Sequence, residues 1–366
     1  MSARVDGGLR LICRRLFCTL LKWPLGNQGT FRKADGFRLR RILVLRHDGV
    51  PHMVASLPAF RLIKRLAPNC RLDVLASEGN FAVAEQCPEV DEAFVLPGGW
   101  MGRLGKIASL RKRDYDLVLN LMLSDTSENG LIANLVGGRK ALKVAHYPRL
   151  EHSVFYNIQA LSANRGISLR EKLPMVVADA ISGYAEPENE EPSLAPHPRY
   201  REAATLALGA LGLTEGNFIV IHWEARDSEY KWSEAACRDL IQQVWEHLGL
   251  KVLVICQQLD DSDLEALQGR LPGSTIYPAG APLLELAAAI ARARLLVASD
   301  LALRQVGYGL GVPVVSLCPS TGGAHGLWRP LEGMPEMQIV APLGCGVSVI
   351  QTPPVWEAVR RLAVRY

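Results

Sequence analysis

Two short clusters in this 366-residue chain combine side chains that can move protons with side chains that can hold phosphates. In the first, RHDGVPH, Asp48, Gly49 and His52 fall within one turn after an apolar run. A neutral histidine there can take the proton of an attacking hydroxyl, because its unperturbed pKa of about 6.5 lies nearer neutrality than the roughly 3.9 of aspartate. Asp48 is a rival base or the orienter of His52. The plain structural alternative is a histidine that packs against the helix beginning near Pro51 or Pro58. In the second cluster, ASDLALR, a strand ending in Ser299-Asp300 runs into a helix from about Leu301. Unpaired N–H groups and the positive end of the helix dipole make such a junction a site for a diphosphate. Asp300 either caps that helix or holds a hydroxyl, and Arg304, one turn in, offers a cationic contact.

The elements that must position these clusters alternate between strand and helix patterns. RILVLRH (41–47), RLDVLAS (71–77), DEAFVLP (91–97), YDLVLNLM (115–122) and ALKVAHY (141–147) are β-rich runs separated by helical stretches, the pattern of a parallel sheet. GYAEPENEEPSLAPHP (183–198) lacks apolar periodicity and is rich in Pro and Glu, as linkers are. A second series follows: NFIVIHW (217–223), KVLVICQ (251–257), RLLVASD (294–300) and PVVSLCP (313–319). These runs predict an α/β chain with an N-terminal domain over 39–182, a linker over 183–198, a second domain over 199–352 and a terminal helix over 353–366 that packs back on the first domain. Two series of similar size suggest two facing Rossmann-like domains with parallel sheets, the GT-B arrangement. Neither contains the GxGxxG of a dinucleotide-binding dehydrogenase. The first cluster then lies at the carboxyl edge of one sheet and the second at that of the other, where ligands bind in open α/β folds.

Hydrophobic residues at 49% and charged residues at 21% fit a globular α/β protein and exclude a disordered chain. Eight cysteines at 13, 18, 70, 87, 237, 256, 318 and 345 form no CxxC pair, and Cys256 and Cys318 fall in predicted strands, which suggests buried, reduced thiols. Charge is unevenly spread. Residues 1–41 hold ten Lys/Arg against Asp6 and Asp35, a balance of +8, so the remaining residues sum to −4 within the overall +4. Within this basic leader (1–38), Leu9, Ile12, Cys13, Leu16, Phe17, Leu20 and Trp23 share one helical face, with Arg10, Arg14, Arg15 and Lys22 opposite. That pattern predicts an interfacial helix over 9–23 on an anionic membrane surface, or a helix docked on the protein itself. Arg14 and Arg15 interrupt the apolar run and no small-residue cleavage site follows, unlike a signal peptide.

The stretch from 40 to 77 resembles the opening of glycosyltransferase family 9, the ADP-heptose:lipopolysaccharide heptosyltransferases, with an R-x-D-x-x-G-D turn and a P-A-L helix. Arg46, Asp48, Pro58 and Ala59 match, whereas Pro51 and His52 stand where the family has Gly and its general-base Asp. The resemblance continues to about residue 330. In IVIHWEARDSEYKW, His222 and Trp232 match the family's I-H-P-G-A and K-x-W segments, Trp223 and Glu224 replace Pro-Gly, and Lys231 is shifted by one position. LLELA resembles the L-x-E-L-A helix, and Asp300, Leu310, Gly311, Pro313 and Val315 match the D-[ST]-G-x-x-H-x-A-x-A-L-G-x-P-x-V signature. Leu301, Ala302 and Gln305 replace its Ser/Thr, Gly and His.

The resemblance implies an inverting, metal-independent transferase that moves a heptose-like sugar from a nucleotide-diphosphate donor to a cell-envelope glycolipid such as a lipopolysaccharide core. It implies no cofactor beyond the donor, ADP-heptose in the family's manner, and a peripheral place on the cytoplasmic face of the inner membrane. Expected roles are catalysis for His52 and Asp48, donor binding for His222, Arg226, Lys231, Ser299, Asp300 and Arg304, and acceptor binding for Arg46, Arg103 and Lys106. The alternatives are a degenerate binder without turnover, or transfer to a protein or small molecule. Asp114-Tyr115-Asp116 spells a DxD but enters a strand, His146 and His152 lack ligand spacing, and no nucleic-acid module is present.

Overall fold

The strand RILVLR at 41–46 is buried along nearly its whole length, and its unbroken apolar run is what a parallel strand covered by helices on both faces requires. In the computed structural model it heads the first of two compact units, Met1–Glu190 and Glu191–Tyr366. The structure describes every residue except 1–19, 21–24, 26, 31, 125, 147–149, 161–166, 184–193, 224–228, 257–259, 321–324, 331–332 and 366. The expected interfacial helix over 9–23, apart from Leu20, and most of the expected linker lie outside the described residues.

The first unit is built on β1 (Arg41–Arg46), β2 (Arg71–Ala76), β3 (Glu92–Val95), β4 (Leu117–Asn120), β5 (Leu142–His146) and β6 (Ile158–Ala160), all parallel, in the order β3-β2-β1-β4-β5-β6. The second contains β7 (Phe218–His222), β8 (Lys251–Ile255), β9 (Ser274–Ile276), β10 (Leu296–Ala298), β11 (Val314–Cys318) and β12 (Glu336–Val340), also parallel, in the order β9-β8-β7-β10-β11-β12. Both follow the 3-2-1-4-5-6 order of the Rossmann fold, which reverses direction between the first and fourth strands. The α/β class with two Rossmann-like parallel sheets is thus observed.

Three strands were not visible in the sequence pattern: β6, β9 and β12. All three are sheet edges. Elsewhere the expected strands are present, trimmed by at most two residues at either end. Five cysteines are buried and reduced, Cys345 is half-buried, and Cys256 follows β8 rather than lying in it.

The terminal helix Thr352–Arg365 completes the second unit. Its Val355, Ala358, Val359, Leu362 and Ala363 enter the apolar core of the second unit, and Arg294 Nε donates to Ala363 O at 2.8 Å. It packs beside the Glu234–Leu248 helix. Part of the basic leader is likewise structural. Ala34–Asp35 pairs in parallel with Ile181–Ser182, and Thr30 N donates to Asn157 O at 2.8 Å. Asn27 Nδ2 donates to Asn134 Oδ1 at 2.7 Å and Val154 O at 3.0 Å, while its Oδ1 accepts from Lys143 Nζ at 3.2 Å. Burial, assisted by Arg111, pushes the Lys143 ammonium down to about 8.

The DxD lies at the amino edge of the first sheet. Asp116 Oδ2 accepts from the backbone N–H of Arg40 and Arg41, Tyr115 donates to Asp73, and Asp114 pairs with Lys140. Its carboxylates are occupied by structural partners.

Candidate functional site

Gly49 starts the helix Val50–Ala55 in extended backbone and Pro51 occupies its first turn, where a missing N–H costs nothing. This brings His52 back over Asp48, with His52 Nδ1 3.7 Å from Asp48 Oδ2. Arg46, the last residue of β1, fixes the turn from below. Its Nε donates to Ser56 Oγ at 2.7 Å, its Nη1 donates to Asp48 Oδ2 at 3.0 Å, and Ser56 Oγ donates to His52 O at 2.8 Å. From the other side, Asn80 Nδ2 donates to the carbonyls of Arg46 and Asp48, and Ser77 Oγ donates to that of Asp48. The turn is therefore held on both flanks. Asp48 and His52 keep 19% and 26% of their side-chain surface accessible, enough for a substrate to reach them.

Burial lowers the pKa of His52, Arg46 adds to the shift and Asp48 opposes it. The imidazole is then neutral at neutral pH, the form a base needs. Arg46 is completely buried with its bonds directed into the turn, so the structure gives it a positioning place where the sequence suggested acceptor contact.

The carboxyl edge of the first sheet holds more histidine than the motif announced. His47 follows β1 directly, and burial and Arg103 lower its pKa against Asp48 and Glu128. His146 ends β5 with its pKa lowered by burial and Lys172. His152 Nε2 lies 3.1 Å from Ser127 Oγ. His47, Asn80 and Glu128 were missed in the sequence. Only the position of His47 at the end of an apolar strand could have signalled it. Of the expected acceptor residues, Arg103 pairs with Glu128 and donates to Pro97 O at 2.9 Å, and Lys106 Nζ sits 5.4 Å from the Phe94 ring centroid. Arg103 thus approaches the turn through its field on His47.

In the second unit, Asp300 caps the helix Leu301–Gly309, its Oδ1 accepting from Leu303 N at 2.9 Å. The cap is the structural role weighed from sequence. Ser299 is 1% exposed and its Oγ has no hydrogen-bond partner among the described residues, a buried hydroxyl beside the free N–H groups of the helix start. His222 ends β7, opposite Ala298 of β10, so His222 and Ser299 meet at the switch point of this sheet.

Arg304 is placed differently from expectation. It is 5% exposed and its Nη2 lies 3.6 Å from Glu336 Oε1, a carboxylate that also accepts from Ser316 Oγ at 2.7 Å and Gln338 Nε2 at 3.0 Å. Its helix turns the side chain toward the edge strand β12, which the sequence pattern does not reveal. Arg226 lies outside the described residues. Lys231 Nζ stacks 5.0 Å from the Trp223 ring centroid. Trp223, which replaces a family proline, is 2% exposed and donates from Nε1 to Trp232 O at 3.1 Å, so this departure fills the core.

Beside the switch point, a cavity of about 310 Å³ opens at the carboxyl ends of β8 and β9, lined by Ile255, Cys256, Tyr277, Pro278, Gly280, Ala281 and Leu286. Tyr277 forms its wall and donates to Glu285 Oε1 at 2.9 Å in the first turn of the Leu283–Ile290 helix. Among the described residues, no group of three or more His, Cys, Asp or Glu converges to hold a metal.

Known proteins agree with this architecture. The model of glycosyltransferase family 9 (heptosyltransferase) matches residues 102–344. No curated protein matches the sequence. Among solved structures, a family 9 glycosyl transferase from Veillonella parvula is 18% identical with a TM-score of 0.74, covering 91% of this chain and 99% of its own. Escherichia coli ADP-heptose lps heptosyltransferase II is 17% identical, with a TM-score of 0.70 and coverage of 89% and 99%. E. coli heptosyltransferase WaaC with ADP is 18% identical, with a TM-score of 0.68 and coverage of 89% and 98%. These likenesses show a common GT-B fold. The family model spans more than half of the chain, with the switch-point strands β7 and β10 inside it, and the chain therefore belongs to glycosyltransferase family 9.

Proposed function

We propose that this glycosyltransferase moves a heptose-like sugar, with inversion, from a nucleoside-diphosphate donor to a cell-envelope glycolipid such as a lipopolysaccharide core. The observation that carries the proposal is the held Asp48–His52 pair with a neutral imidazole at the carboxyl edge of the first sheet. His52 takes the proton of the acceptor hydroxyl while its oxygen attacks the anomeric carbon. The bond to the diphosphate breaks, and its electron pair leaves with the nucleoside diphosphate. Asp48 steadies the imidazolium that forms, and Arg46 keeps Asp48 in place.

The donor is assigned to the second unit, its diphosphate over the Leu301 helix start with Ser299 Oγ as a further donor, and its base in the Tyr277 cavity. That E. coli heptosyltransferase WaaC, of similar fold, is known with ADP and with ADP-2-deoxy-2-fluoro heptose favours an ADP-sugar. The test is a panel of ADP-, UDP-, GDP- and CMP-sugars scored for binding and for transfer to extracted glycolipid. Transfer from one donor class is expected. Binding without transfer from any of them would favour a second reading, a degenerate binder, for which the engagement of Arg304 by Glu336 speaks.

The same proposal places the protein on the inner face of the cytoplasmic membrane through residues 9–23. No helix among the described residues is long and apolar enough to cross a membrane. Deleting residues 1–24, which leaves the Asn27 contacts intact, should abolish most flotation with phosphatidylglycerol vesicles. Equal recovery of both proteins would defeat the leader's role.

A further inference from the structure

The helix Trp100–Arg111 is amphipathic in the wrong sense at its start. Ile107 and Leu110 face the core, yet Trp100, Met101 and Leu104 are 71%, 68% and 52% exposed. At 100° per residue these three share the outward face with Ala108, Arg111 and Lys112, so one helix face runs from a large apolar end to a cationic end. Along the chain the charge has one sign, although Glu128 pairs with Arg103 and Glu92 with Arg113 from neighbouring elements. From Ala93 to Arg113 the chain carries Arg103, Lys106, Arg111, Lys112 and Arg113 and no acid. The helix follows β3, which places its apolar start at the carboxyl edge of the first sheet, the edge that carries Asp48 and His52.

We infer that this face docks on an anionic lipid surface, with Trp100, Met101 and Leu104 inserted at the level of the headgroups and Arg111 and Lys112 against lipid phosphates. An outward Trp-Met-Leu cluster backed by Lys and Arg is what an interfacial helix needs. A second copy of the chain suits it less well, because Arg111 and Lys112 at the far end of the same face seek an anionic surface. The inference deepens the membrane reading above but adds a contact point independent of the leader. It also gives the lipid-borne acceptor a reason to arrive at the edge that holds His52.

The test uses full-length protein carrying Trp23→Phe, so that the leader's tryptophan is silent, and vesicles of phosphatidylglycerol with brominated acyl chains. Tryptophan emission should be quenched on binding, and adding Trp100→Phe should remove most of that quenching. The triple variant Trp100→Ser/Met101→Ser/Leu104→Ser should partition at least tenfold less to these vesicles. Its melting temperature should be unchanged, since the three side chains are exposed. Quenching unaffected by Trp100→Phe, or wild-type partition of the triple variant, would overturn the inference. So would a triple variant that changes from dimer to monomer while binding vesicles as before, which would assign the face to a second copy. Loss of binding on deleting residues 1–24 with no effect of the serine changes would keep the leader reading and sink this one; the reverse result would do the opposite.

Discussion

Replacement of His52 by alanine is expected to lower kcat by about 10²–10⁴-fold while donor affinity stays near wild type, because the proposed base and the proposed donor site are on different units. The pH profile carries the sharper information. Burial holds the His52 pKa below its ordinary 6.5, so the imidazole is protonated and idle in acid and becomes a base as pH rises through that lowered value. The ascending limb of kcat should thus lie below pH 6.5. His52→Asp should restore part of the rate and move the limb lower still, following the carboxylate's pKa of about 3.9. Asp48→Ala should retain more activity than His52→Ala and shift the limb further down, since it removes the one charge that favours the imidazolium. Normal turnover by His52→Ala together with loss in Asp48→Ala would make Asp48 the base.

The second large effect concerns stability. Glu336→Ala should destabilise the second unit by about 3–5 kcal/mol, the usual cost of leaving one member of a buried pair without its counter-charge. Arg304 is then stranded with a side chain 6% exposed, while Ser316 Oγ and Gln338 Nε2 lose their common acceptor. Urea midpoints measure this, and Glu336→Gln, which keeps an oxygen for both donors, should lose less. Arg304→Ala should also lower the midpoint. Calorimetry with ADP on Arg304→Ala separates the two roles: an affinity loss of roughly 1.5–3 kcal/mol would mean that the guanidinium also reaches phosphate, and an unchanged affinity would confine it to the Glu336 pair.

Nine of the twelve sheet strands were legible because parallel strands buried on both faces read as unbroken Val, Ile and Leu runs. The three that were not have physical reasons. β6 and β9 have three residues each, and β9 begins with Ser274 and Thr275. β12 alternates Glu336, Met337, Gln338, Ile339, and its Glu336 turns inward to Ser316 and Arg304 rather than outward to water. A pattern that scores buried glutamate as surface cannot find such a strand, and the Arg304–Glu336 pair stays hidden with it. The Asp48–Gly49–His52 turn was legible because glycine and proline punctuate it. Asn80, which clamps the turn from 32 residues away, was not, since nothing local marks a long-range amide bond.

The contacts of Asn27 set a length scale. Only three residues lie between it and Trp23, the last residue of the expected interfacial helix, and an extended chain spans at most about 3.6 Å per residue step, so the four-step lead is no longer than about 14 Å. A protein moored at 9–23 by so short a lead cannot sample the cytoplasm as a tethered ball would. Its first unit would glide within one molecular layer of the bilayer, and the search for a lipid-borne acceptor becomes diffusion in two dimensions, with an encounter rate governed by acceptor density per unit of membrane area rather than by bulk concentration.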